Sequence, residues 1–88
     1  MTSKSVTVGS LVGLHARPAA VIAQAASAAS SPVTLSMPGG TPVDAGSALL
    51  IMTLGAKMGD TVEVTSEDGE LVDLIAGLVE EDLDSQPA

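Results

Sequence analysis

The 88-residue chain has no cysteine, no phenylalanine, tyrosine or tryptophan, and a single histidine. Without cysteine there is no disulfide, thiolate metal site or thiol chemistry, and a domain this short without covalent staples suits a reducing compartment. One histidine and no cysteine also leave no ordinary zinc ligand set, so no metal is expected. Without aromatics the interior must be filled by Val, Leu, Ile, Met and the many alanines. Positive charge is scarce as well: Lys4, Arg17 and Lys57 all precede Asp60, whereas ten of the eleven acids lie at Asp60 or beyond, and the net charge is −8. Such a surface repels phosphate backbones and anionic lipid, so neither a nucleic acid nor a membrane is expected as a partner. No apolar run approaches a membrane span, and the start, Met1 to Val6, lacks the basic and long apolar regions of a signal peptide. The expectation is a cytoplasmic protein forming one domain over residues 1–88, with one modest core.

What is present alternates in a readable way. Ser5-Val6-Thr7-Val8 predicts a first strand with both valines inward. Ala16 to about Ala29 predicts a helix, with Ala19, Ile22, Ala23 and Ala26 on one stripe. Pro32 to Met37 predicts a second strand, and Pro38-Gly39-Gly40 turns the chain into a short third strand at Thr41-Pro42-Val43, where Pro42 suggests a sheet edge. The apolar run Ala48 to Leu54, preceded by Ser47 and followed by Gly55, favours a short helix. Lys57 to Asp60 is a turn, and Thr61 to Thr65 is a fourth strand with its valines inward. Leu71, Leu74, Ile75, Leu78 and Val79 predict an amphipathic last helix, whose end should fray because Glu80, Glu81, Asp82 and Asp84 oppose the helix dipole. The order β-α-β-β-α-β-α implies an α+β fold, three helices on one face of a four-stranded antiparallel sheet. A ferredoxin-like arrangement shares the first six elements, so order alone leaves both open.

The chemistry concentrates at Gly13-Leu14-His15-Ala16-Arg17-Pro18-Ala19, where a glycine turn opens into the first helix. The first N–H groups of a helix lack intrahelical partners and the dipole is positive there, which suits an anion. Placing His15 at or near the N-cap puts Pro18 in the first turn, where its missing N–H costs nothing, and leaves the Ala16 and Arg17 amides free. A hydrolytic triad would need an orienting carboxylate, and none is near in sequence. A neutral imidazole is a good nucleophile toward phosphorus and can carry and release the group. The blander alternative is a histidine that merely caps a helix.

This segment closely resembles the active-site signature of the histidine-containing phosphocarrier (HPr) family of the bacterial sugar phosphotransferase system, and the resemblance covers almost the whole chain. A second segment, Val43 to Ala56, resembles the stretch carrying that family's regulatory serine. The resemblance implies an open-faced β-sandwich whose His15 accepts a phosphoryl group at Nδ1 from phospho-enzyme I. That enzyme is itself charged by phosphoenolpyruvate, and the carrier passes the group to the A components of sugar-specific enzymes II. It implies Arg17 as phosphate partner, the Ala16 and Arg17 amides as phosphate-binding backbone, and Pro18 as the device that sets the helix start. It implies no cofactor, and a carrier, with no turnover of its own, that acts as a monomer.

Ser47 aligns with the serine modified by an ATP-dependent kinase in some members, although its plainer role is an N-cap. Gly46 stands where lysine is common and Ala48 replaces a larger apolar residue, which departs from the pattern around that serine. Ala20, Leu49 and Met52 align with an exposed apolar docking patch, in which methionine adapts to several partners. Gln24 and Ser27 occupy positions where lysine is frequent, so docking should depend only weakly on salt. Two alternatives remain at this point: a carrier serving a regulatory or dihydroxyacetone-kinase branch, and a ferredoxin-like module that binds a small ligand.

Overall fold

The computed structural model describes residues 1–10 and 13–81. Among them run β1 (Thr2–Thr7), α1 (Ala16–Ala28), β2 (Val33–Ser36), β3 (Val43–Asp44), α2 (Ala48–Thr53), β4 (Thr61–Ser66) and α3 (Gly69–Glu80). The sheet order is β1-β4-β2-β3, and every neighbouring pair is antiparallel. Strand β4 therefore fills the gap between β1 and β2, while β3 hairpins out to the edge. A ferredoxin-like sheet puts the third strand in that gap, so the ambiguity left by element order is resolved against it.

Alternation along the strands decides which face is covered. Val6, Val33, Leu35, Val62 and Val64 are buried under the helices. Ser3, Ser5, Thr7, Thr61 and Thr65 have the opposite parity, on the open face, and Ser3 Oγ and Thr65 Oγ1 share a hydrogen bond of 2.9 Å there. The predicted stripe of α1 is buried as a unit at Ala19, Ile22, Ala23 and Ala26. Its closest backbone neighbours are α2 and α3, while α3 lies close on β1 and β4, and Ile22, Leu35, Ile51 and Ile75 fill the space that aromatics would occupy elsewhere. Each such side chain contributes about 1.5–3 kcal/mol through burial.

Three expectations shift. Val8 lies past the end of β1; it stays buried, but its amide donates to Asp60 O at 2.9 Å outside the ladder. The third strand is Val43–Asp44, not Thr41–Val43, because Asp44 is carried into register opposite Thr34; it does form the sheet edge. In α3 the buried face is Leu71, Val72, Ile75, Ala76 and Val79, and Leu74 is exposed. At 3.6 residues per turn Leu74 falls about a third of a turn from the centre of that face, and Val72 and Ala76 take its place. Asp82 and Asp84, invoked for fraying, lie outside the described residues.

Two glycines fit the loop after β1 to its surroundings. A Cβ on Gly9 would stand 1.7 Å from Glu80 O, so the end of α3 closes directly onto this loop. Gly13 has φ +74° and a Cβ there would meet Ala56 O at 2.3 Å. Both contacts set the path of the chain into α1.

Candidate functional site

The site is built on the start of α1. Gly13 N donates to Ser10 O, His15 N to Gly13 O, and Leu14 N to Ala56 O, each at 2.9 Å. Leu14 is buried beneath the loop, which turns the next residue outward. His15 is the N-cap, in extended conformation (φ −84°, ψ −172°), and its exposed side chain makes no capping hydrogen bond. The first backbone bond of the helix is Ala19 N to His15 O, 2.9 Å. No described residue accepts from the Ala16 or Arg17 amide, and Pro18, buried in the first turn, has no N–H to satisfy.

The charges around this start are unbalanced. The first turn of α1 holds no acid, and Arg17 is exposed. Among the described residues the one ion pair joins Lys4 Nζ to Asp73 at 3.7 Å, between β1 and α3, so neither Arg17 nor Lys57 forms an ion pair there. Among the described residues, open amides, an unopposed dipole and a guanidinium without an ion pair leave this start locally positive on a chain of net charge −8, which suits an anion. A single exposed imidazole completes it.

The remaining predicted residues lie on two helices that pack together. Ala20 is exposed on α1, Leu49 is 70% exposed on α2, and Met52 is half-buried, packed in part against the core. Leu50, Val21 and Met58 are also exposed apolar residues. The adjacency of Leu49 and Leu50 in a six-residue helix could have signalled a wider patch, since only Ile51 of that helix is fully buried. Ser47 caps α2, its Oγ accepting from Leu50 N at 3.3 Å. Beside it Gly46 N donates to Asp44 Oδ1 at 2.8 Å, and a Cβ on Gly46 would stand 3.2 Å from both that oxygen and Ser27 Oγ. The lysine common there would crowd this turn. No group of His, Cys, Asp or Glu among the described residues could hold a metal ion.

Comparison with known proteins agrees with the fold and the motif. The family model described as PTS HPr component phosphorylation site matches residues 2–81. The phosphocarrier protein HPr of Streptomyces coelicolor is 40% identical over 91 residues, covering 99% of this chain and 97% of that protein. The crystal structure of HPr-C-His from Thermoanaerobacter tengcongensis superposes with a TM-score of 0.85 at 30% identity, over 99% of this chain and all of the other. That of a phosphocarrier protein HPr from Bacillus anthracis gives 0.81 at 31% identity, over 89% and 95%.

Proposed function

Because the chain belongs to the HPr family and is a phosphocarrier of the phosphotransferase system, we propose that His15 is its phosphoryl acceptor, charged by phospho-enzyme I and discharged to the A components of sugar-specific enzymes II. The observation that carries this reading is the idle N-cap: an exposed imidazole that makes no capping bond, beside Arg17 and amides that no described residue partners. In the transfer, a lone pair on Nδ1 of His15 forms the new bond to phosphorus. The bond from phosphorus to the donor's leaving atom breaks, and its electron pair stays with the donor. Discharge runs the same exchange in reverse, with the enzyme II component as acceptor.

Arg17 and the Ala16 and Arg17 amides meet the charge that arrives, about −1.5 to −2. Hydrogen bonds to a charged group contribute roughly 1.5–3 kcal/mol each. At this exposed position water and salt reduce that, which suits a group that must leave again. Pro18 sets the helix entry. Ala20, Leu49 and Met52 form the docking surface, and Ser47 serves first as a cap and is open to a serine kinase. The protein acts stoichiometrically as a single-domain cytoplasmic monomer, without catalytic turnover of its own. No described helix is long and apolar enough to cross a membrane.

Intact mass after incubation with phosphoenolpyruvate and enzyme I tests the reading. One added phosphoryl group, removed by brief acid and absent in His15→Ala, is expected. An acid-stable adduct, or one that persists in His15→Ala, would overturn the assignment and point to Ser47 or another side chain.

A further inference from the structure

The chain has three cations, and they are not placed alike. Lys4, on β1, is paired with Asp73 of α3, and Arg17 lies in the first turn of α1. Lys57 is distant from His15 in sequence, yet its backbone abuts the loop that carries the histidine: a Cβ on Gly13 would stand 2.8 Å from Lys57 Cα, and the preceding carbonyl, Ala56 O, accepts from Leu14 N at 2.9 Å. The turn holding Lys57 is firmly built. Asp60 Oδ2 accepts from Lys57 N at 2.9 Å, Asp60 N donates to Lys57 O at 2.9 Å, and Gly59 N donates to Val8 O at 3.0 Å. Asp60 is thus used by the backbone, and the exposed Lys57 ammonium has no ion-pair partner among the described residues.

Resting on the carrier reading above, we propose that Lys57 is a second cation of the phosphoryl site, one that draws the incoming phosphoryl group toward His15 by its charge while Arg17 orients that group. A lysine stem extends roughly 6 Å from Cα. Gly13 is two residues from His15, so an ammonium turned toward that loop comes within the screening length of about 10 Å at 0.1 M salt. Ten acids at or beyond Asp60 make the rest of the chain repel a phosphorylated partner, and the two cations without an ion pair among the described residues stand on segments that meet at the loop before α1. Lys57 is a positioning residue, and its contribution is long-range. It therefore contributes, with Arg17, to whatever salt dependence the transfer retains.

The test is the rate of phosphoryl uptake from phospho-enzyme I by the full chain, its Lys57→Gln variant and its Lys57→Arg variant, at about 0.05 M and 0.5 M salt. At low salt Lys57→Gln should accept about threefold more slowly, the difference should close at high salt, and Lys57→Arg should match the parent. Equal rates for parent and Lys57→Gln at low salt would overturn the role of Lys57 alone. A deficit in Lys57→Gln that persists at high salt, or that Lys57→Arg shares, would overturn it in favour of packing. If the parent itself forms no acid-labile adduct, the carrier reading falls, and this proposal with it.

Discussion

The starts of α1 and α3 are opposites. At α3, Asp68 caps the helix by accepting from Glu70 N at 3.0 Å and Leu71 N at 3.4 Å, and Glu70 adds a second acid to the first turn. At α1 the cap residue is a histidine whose side chain makes no capping bond, the first turn has no acid, and it carries the cation Arg17. Both helices carry a positive dipole end. One spends it on its own carboxylates, and the other holds it open. The difference sets the two starts apart without reference to any motif, and the proposed function needs the second of them, a start that a transient anion could satisfy. An uncapped start forgoes about 1 kcal/mol of local stability.

The largest way to break this contrast is to displace the open end bodily. Gly13→Ala adds a Cβ at φ +74° that would meet Ala56 O at 2.3 Å and Lys57 Cα at 2.8 Å. Left-handed backbone costs alanine roughly 1–2 kcal/mol, and overpacking typically costs about 1–3 kcal/mol more. Denaturant unfolding should show a loss of about 3 kcal/mol, with phosphoryl uptake reduced in whatever remains folded. An unchanged midpoint would mean that the loop tolerates another path and that Gly13 does not aim His15.

The next sharpens the contrast by turning α1 into α3. The backbone at His15 is already extended as a cap requires, so His15→Asp should let a carboxylate accept from Arg17 N. Pro18 withholds the other N–H that a cap would use, and the gain should sit near the low end, about 0.5–1 kcal/mol. Stability should rise in thermal unfolding while phosphohistidine formation is lost completely. A variant no more stable than its parent would show that the open start costs nothing.

Local features of this site were legible and non-local ones were not. The stripe on α1, the Ser47 cap and the placing of His15 before Pro18 depend on spacing within a few residues, where periodicity and capping rules act. The strand order depends on pairings between segments far apart in the chain, and nothing in the alternation of β1 says that β4 lies beside it. The same limit hid Lys57, which reads as one residue of a turn until Gly13 is seen against its backbone. Leu74 was misplaced for a different reason: the run of α3 offers more apolar residues than one face can take, and the sheet selected Val72 and Ala76.

The smallest effect belongs to the third helix start, which stands between the other two. Ser47 caps α2 through one exposed bond of 3.3 Å to Leu50 N, with no acid in the first turn, so Ser47→Ala should cost about 0.5 kcal/mol. The loss should stay at that end of the helix. Ile51 is fully buried and anchors α2, while Ala56 O, beyond its other end, holds Leu14 N. Amide exchange at Leu50 should accelerate while that at Leu14 keeps its protection, and phosphoryl uptake at His15 should be unaltered. If Leu14 exchange accelerates together with Leu50, α2 moves as one body with the His15 loop. A phosphate placed on Ser47 would then reach the acceptor through the backbone as well as through the exposed leucines beside it.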